Sequence, residues 1–352
     1  MKDLGGGESD RKITVLLLII ILVMVGFLAF TLFGTPGQSS YYFGEMVNRE
    51  TPITILFVGD IMLDRNVAKN ADRIGVGALL ENVSRIFKGN DLVIGNLEGT
   101  ITAQESIARN NNEILRFTFD PKFISLLQDN NFSAVSLANN HALDFYRAGY
   151  EETRNRLSGA GISSFGHPNN SENLTVQLAV DGRIICFVGY HDLYTYDETP
   201  VIQEIYRIEQ YCNHTVVLPH WGEEYELKQN MRQKMLAHKF IDSGADLVIG
   251  AHSHVVQPVE IYKNKAIFYS LGNFMFDQYF SFETTHGIAM KASISAKRSQ
   301  FEIIPIEITN GKVDFAIPGD TQRINSWLLD DNMALNLIRD IRENGKFIVE
   351  SI

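Results

Sequence analysis

From Ile53 onward the chain is written in short, β-branched apolar runs, and six of the seven clearest end in a carboxylate, an amide or an imidazole. The runs cover residues 53–58, 92–95, 134–137, 184–188, 215–218, 247–249 and 266–269, lengths that suit buried strands and not helices. Amphipathic stretches separate several of them, most clearly at residues 79–87, 121–128 (opened by Pro121), 150–157 and 228–241. This alternation predicts an α/β fold. In such folds the carboxyl ends of the strands face a common crevice where ligands bind. Asp60 follows the first run, Asn96 and Glu98 the second, and Asn140 and His141 the third, with Asp144 close behind. His220 and Glu223 follow the fifth, His252 and His254 the sixth, and Asn273 the seventh. Residues 288–294, 301–308 and 312–317 then come in quick succession around an Asn310-Gly311 turn, which predicts a second, more antiparallel sheet. Residues 53–320 read as one domain, and residues 321–352 as a helical, peripheral tail.

Oxygen and imidazole donors without thiolates suit divalent zinc, manganese or iron. Asp60 and Glu98 as anions, Asn140 as a neutral oxygen, and His220, His252 and His254 as imidazoles make a ligand set for one or two ions. Such ions lower the pKa of water and clamp the oxygens of an in-line phosphoryl displacement. His141 is placed to act as an acid on a leaving group, with Asp144 orienting its ring. Asn96, Glu223 and Asn273 are the expected substrate contacts. Taken singly, several of these residues have plain structural readings: Asp60 as a turn former or helix cap, Asn139-Asn140 as a turn, His220 as a loop residue. The pair His252-x-His254 is more specific, because imidazoles two apart project to one side of an extended segment. His167, His191, His214, His238 and His286 lie outside the pattern and read as packing or surface residues, His191 being the nearest to it.

Residues 13–33 form an uncharged apolar stretch of about 21 residues, long enough to cross a bilayer as one helix. Arg11 and Lys12 precede it and no Lys or Arg follows until Arg49. The positive-inside rule then leaves residues 1–12 in the cytoplasm and sends the rest outside through a linker at 34–52. A cleaved secretory signal is the competing reading, but the apolar core is long for one and no small-x-small site follows it. The net charge of -11 argues against binding nucleic acid or an anionic lipid surface through the general field. Cys186, inside an apolar run, reads as a buried thiol, with a disulfide to Cys212 as the alternative in a non-reducing compartment. No C-x-x-C pair is present, which argues against cysteine-ligated zinc.

Six motifs resemble those of the CapA or PgsA family of capsule (poly-γ-glutamate) synthesis proteins. They are Gly59-Asp60-Ile61-Met62-Leu63, Asn96-Leu97-Glu98-Gly99, Leu137-Ala138-Asn139-Asn140-His141-Ala142-Leu143-Asp144, His220-Trp221-Gly222-Glu223-Glu224-Tyr225, Gly250-Ala251-His252-Ser253-His254-Val255 and Ser270-Leu271-Gly272-Asn273-Phe274. The resemblance implies kinship with calcineurin-like metallophosphoesterases: a four-layer α/β/β/α sandwich, a two-metal site and the acid role for His141. It also implies work on a capsule or other envelope polymer, membrane-bound synthase subunits as partners, and an anionic polymer or phosphoester as ligand. Two departures from the wider phosphoesterase pattern stand out. Met62 replaces the imidazole of an Asp-x-His opening, and Asn96 and Glu98 stand where Gly-Asp is usual. Two functions are therefore expected to compete, a phosphoester hydrolase and a non-catalytic accessory that binds acidic polymer, with amide-bond chemistry on poly-γ-glutamate as a third.

Overall fold

Side-chain alternation along the first strand already divides the molecule into layers. In β1 (Ile53–Ile61), Ile53, Ile55 and Phe57 enter one apolar core while Leu56 and Val58 enter another. The computed structural model describes residues 51–350 except 112, 195–196 and 331–332; the expected anchor at 13–33 lies outside the described residues. Among the described residues no helix is long and apolar enough to cross a membrane.

After β1 come α1 (Arg65–Ile74), β2 (Leu92–Leu97), β3 (Thr100–Ile101), β4 (Thr118–Phe119), α2 (Ile124–Asp129), β5 (Ala134–Ser136), α3 (Tyr146–Gly159) and β6 (Ser163–Phe165). The middle of the chain supplies β7 (Thr175–Val180), β8 (Arg183–His191), α4 (Thr199–Glu209), β9 (His214–His220), α5 (Met231–Asp242), β10 (Leu247–Ile249), β11 (Val259–Tyr262) and β12 (Lys265–Phe268). The last part holds β13 (Asn273–Met275), α6 (Phe282–Thr285), β14 (His286–Ile294), β15 (Arg298–Thr309), β16 (Lys312–Phe315), α7 (Pro318–Trp327), α8 (Leu335–Asn344) and β17 (Lys346–Glu350).

A nine-stranded sheet runs β16-β15-β14-β1-β2-β5-β6, with β13 on the end of β1 and β17 on β15; a six-stranded sheet runs β11-β12-β10-β9-β8-β7. Strands β1, β2, β5 and β6 are mutually parallel, as are β8, β9, β10 and β12. One apolar core, with Phe57, Ile94, Phe187, Leu218 and Phe268, fills the space between the sheets. A second packs the outer face of the larger sheet against α1, α2 and α3 through Val67, Leu127 and Leu157. A third packs the smaller sheet against α4 and α5 through Ile205, Leu236 and Phe240. The layers are helix, sheet, sheet, helix.

Three expectations change. The antiparallel strands β14, β15 and β16 do not build the second sheet; β14 pairs with β1 along residues 53–58 and extends the first one. The second sheet is instead built around the parallel strands β8, β9, β10 and β12, because a βαβ crossover through α4 or α5 returns the chain to a parallel neighbour. The tail is not purely helical or peripheral. Ile324, Leu328, Leu337 and Ile341 enter the inter-sheet core, and residues 346–350 pair with β15, burying Phe347 and Val349 between exposed neighbours in strand alternation. Gly345, at φ 60°, makes the left-handed stop that ends α8. Finally, Cys186 is joined to Cys212, Cα–Cα 5.9 Å, because the turn after α4 brings Cys212 back against the outward-facing side of β8.

Candidate metal centre

Close backbone approach builds the floor of the site. Asp60 N donates to Gly272 O at 3.1 Å, and a Cβ on the preceding Gly59 would lie 1.9 Å from that oxygen. A Cβ on Gly250 would lie 2.0 Å from Tyr269 O and 2.6 Å from Trp221 Nε1. Glycine at both positions lets the strand ends converge. β1 then sets Asp60 beside Asn96 of β2 and Asn273 of β13, while a bridge between His220 and Ala251 continues the pairing of β9 and β10. His252 (φ 92°) and His254 (φ 58°) both occupy the left-handed region, each at a cost of about 1–3 kcal/mol. The turn is held by Asp60 Oδ2, which accepts from His252 N at 3.2 Å, and by Ser253 O, which accepts from Tyr225 N at 2.8 Å.

The side chains fall into two donor groups. In the anionic group, Asp60, Glu98 and His254 offer ligand atoms within 4.8 Å of one another, and Glu224, His252 and His254 form an overlapping set. His254 Nδ1 lies 3.4 Å from Asp60 Oδ2 and Nε2 lies 3.7 Å from Glu98 Oε1, with Asn273 Oδ1 2.9 Å from Nδ1. In the neutral group, His220 Nε2 stands 2.8 Å from Asn140 Oδ1 and the His220 and His252 rings are 4.7 Å apart. Asn96 lies between the groups: its Nδ2 donates to Asp60 Oδ1 at 2.8 Å and stands 3.2 Å from His220 Nδ1. Asn139 donates to Asn96 Oδ1 at 3.1 Å and locks that amide.

At the rim, His141 Nδ1 is 2.8 Å from Asp144 Oδ2 and its Nε2 is 3.9 Å from Glu98 Oε1. Phe117 N also donates to Asp144 Oδ2, at 2.7 Å, and the Arg116 guanidinium holds the Asp144 carbonyl. A carboxylate only accepts, so Nδ1 carries a proton and Nε2 is the atom free to exchange one.

The donors fit a divalent cation. Glu98 is fully buried and neither carboxylate oxygen has a hydrogen-bond partner; His252 Nδ1 is buried and unpartnered as well. Groups like these demand a reason, and an ion is the simplest. Burial pushes the Glu98 carboxyl well above its usual range, against the pull of His254 and with further help from Asp60. Burial lowers His254, but the charges of Glu98 and Asp60 outweigh it and push the imidazole up to about 9. Burial, followed by the neighbouring imidazoles, holds His220 and His252 well below the usual histidine range, so both stay neutral and able to ligate.

The structure gathers Asp60, Asn96, Glu98, Asn140, His141, Asp144, His220, His252, His254 and Asn273 into this cleft. Glu223 and Glu224 are both exposed, and it is Glu224, the neighbour of the expected Glu223, that offers a ligand atom together with His252 and His254. Sequence reasoning singled out Glu223 because two adjacent acids are equivalent on paper. Met62 faces away: it is buried, and its Sδ is 3.1 Å from Asp64 N. His238 and His286 stack on Tyr262 and Phe282, and His167 stands edge-on to Tyr150, in packing roles. His191 does not share that role, being buried 5.9 Å ring to ring from His220.

Comparison with known proteins matches residues 54–278 to the family model "Bacterial capsule synthesis protein PGA_cap". A relative named PGA biosynthesis protein CapA, from Bacillus subtilis (strain 168), is 28% identical over 86% of this chain and 82% of its own. Capsule biosynthesis protein CapA from Bacillus anthracis is 26% identical over 98% of this chain and 89% of its own. Among solved structures, a phosphatase from Mycoplasma pneumoniae is 14% identical with a TM-score of 0.46, covering 74% of this chain and 90% of that one. The family model spans the β1 strand, all the donor-bearing strand ends and the rim residues, and the chain belongs to the bacterial capsule synthesis protein family PGA_cap.

Proposed function

We propose that the chain is a membrane-anchored, extracytoplasmic, metal-dependent phosphoester hydrolase working in the synthesis of capsule, poly-γ-glutamate or another envelope polymer. The observation that carries the reaction is Glu98: a fully buried carboxylate without a hydrogen-bond partner, grouped with Asp60 and His254 and facing the His141–Asp144 pair. The names of the relatives support the process. The apolar segment 13–33, flanked by Arg11 and Lys12, supports the anchor, and the Cys186–Cys212 disulfide supports a non-reducing compartment. An anchored domain of this kind would sit beside membrane-bound synthase subunits.

Asp60, Glu98 and His254 would hold one ion, and Asn140, His220 and His252 a second; oxygen and imidazole donors suit manganese, zinc or iron. A divalent ion there supplies Lewis acidity to a phosphoryl oxygen and lowers the pKa of nearby water. The chain's own groups do the rest. Asp144 holds the His141 Nδ1 proton and thereby aims Nε2 into the cleft, from which a proton passes to the leaving oxygen. Asn96 and Asn273, both fixed by hydrogen bonds to site residues, orient the donors around the substrate.

A second reading, an accessory that binds acidic polymer without turnover, is favoured by Met62 turning away and by an amide at position 96 between the two donor groups. Metal analysis of the full-length chain in detergent, with a screen of phosphomonoesters and phosphodiesters, separates the two. On the hydrolase reading His141→Ala loses turnover and keeps metal, while Asp60→Ala and His252→Ala lose both. Turnover that survives chelation and all three substitutions ends that reading; metal binding with no turnover on any ester supports the accessory.

A further inference from the structure

His191 closes β8 directly across from His220, its Cα partner in the parallel ladder. Along β8, Ile185 and Phe187 face the inter-sheet core while Cys186, Val188 and Tyr190 face the outer helices. The two-residue period therefore puts His191 on the inner face, in step with Val216, Leu218 and His220 of β9.

The residue is held from several sides. Its backbone N donates to Asn170 Oδ1 at 2.9 Å, its carbonyl accepts from Asn170 Nδ2 at 2.7 Å, and its ring Nδ1 is 2.8 Å from Pro168 O. A carbonyl can only accept, so Nδ1 bears the proton and, in the neutral ring, Nε2 presents a lone pair. That Nε2 is fully buried and has no partner. Tyr194 stands edge-on to the ring at 4.7 Å and donates its hydroxyl to Asn140 O at 2.7 Å, so His191 and the Asn140 segment are braced together. An Nδ1–H anchored on a backbone carbonyl, with Nε2 left bare, is the way metal-ligating histidines are oriented.

We propose that His191 is a further metal ligand, the third imidazole of the neutral donor group with His220 and His252. The inference rests on the metal-centre reading and goes beyond it. It assigns a ligand that the strand-end motifs leave out, and with it a preference. Three imidazoles and one amide oxygen, with no carboxylate, select a borderline ion such as zinc over hard manganese or magnesium. The anionic group beside it has the opposite leaning. The ring centroids are 5.9 Å apart for His191–His220 and 4.7 Å for His220–His252; the three rings do not offer nitrogens that all lie within 4.8 Å of one another, so an ion shared at about 2.1 Å from each nitrogen would draw them together.

The test is metal binding, not turnover. Full-length chain in detergent is stripped with chelator, then titrated with Zn²⁺ against a chromophoric competitor and with Co²⁺ followed by its visible absorption. His191→Ala should weaken the tighter Zn²⁺ site by more than about tenfold, since losing a mere orienting partner of a ligand already costs about 10–100-fold, and should change the Co²⁺ spectrum. His191→Asn keeps a donor for Pro168 O and fills the position, so it should fold as the wild type does and show the same loss. If His220→Ala weakens Zn²⁺ and both His191 variants bind like the wild type, this inference is wrong while the metal centre stands. If neither His220→Ala nor Asp60→Ala alters metal binding, the metal-centre reading falls and this one falls with it.

Discussion

Replacing Glu98 by Gln should make the metal-free protein more stable and at the same time deaf to metal at the anionic group. Asp60, Glu98 and His254 leave one surplus negative charge in a cavity closed to water, and the Glu98 oxygens have no donor to satisfy them. An unsatisfied buried polar group costs about 1–3 kcal/mol, more when charged, so removing the charge should return about 2 kcal/mol. With an unfolding entropy of about 2.1 cal/mol/K per residue over roughly 300 folded residues, that is a rise of about 3 °C in Tm. The wild type should instead gain about 2.7 kcal/mol, or about 4 °C, from an ion at one hundred times its Kd, and the Gln variant should gain none from the anionic group. The pH dependence has a definite sign. Burial raises the folded pKa of Glu98, so the folded chain keeps a proton that the unfolded chain releases near pH 4.3. Stability from this group is therefore lost as pH rises from the unfolded value towards the folded one. The advantage of the variant should grow from nothing at about pH 4 as the pH rises towards the folded value. Calorimetric melts of the full-length chain, with EDTA or with saturating Mn²⁺ or Zn²⁺, read all of this. A Gln variant that melts lower without metal, and still gains the wild-type increment from it, would refute the reasoning.

Asp144→Asn should cut kcat by about 10²–10⁴-fold, the range for a positioned acid, with metal content unchanged by elemental analysis, because Asp144 touches His141 and no donor of the two groups. Gly250→Ala should cost more than about 3 kcal/mol in urea unfolding and lower metal affinity too, as its Cβ would meet Tyr269 O at 2.0 Å and push the 250–254 turn off the site. Cys186→Ala with Cys212→Ala should cost at most about 3.5 kcal/mol, from closure of the 26-residue separation, and thiol labelling of the denatured wild type should find no free cysteine until reductant is added. Metal binding should release a proton from the Glu98–His254 pair; calorimetry in two buffers of different ionisation enthalpy measures it, and affinity should climb with pH.

The strand ends were legible because a buried parallel strand needs an unbroken apolar run, and the polar residue that breaks it sits by construction at the crevice. That rule placed Asp60, Glu98, His141, His220, His252 and His254 without knowledge of any pairing. Which strand belonged to which sheet was not legible. β1 and β14 are both buried on two faces, and a strand with two apolar faces has no preference written into it for either sheet. β17 was readable in principle, since Phe347 and Val349 alternate with Lys346, Ile348 and Glu350, but the preceding amphipathic helix α8 drew the reading on past Gly345. The disulfide was set by the turn after α4, where one residue of register decides which side chain faces in.

The two departures Met62 and Asn96 then have a joint consequence that neither has alone. With Met62 turned to the Asp64 backbone, the anionic group has a single imidazole, and Glu98 stands in the remaining space as a second carboxylate. With an amide at position 96, no anion is shared between the groups. Charge is thus concentrated on one side of the cleft, on Asp60, Glu98 and the nearby Glu224, and nearly absent from the other. A hard cation is held by charge and a borderline one by nitrogen lone pairs, so the two halves should differ in metal preference. A carboxylate restored by Asn96→Asp would face both His220 and Asp60, and would erase that difference by lending the neutral half a charge.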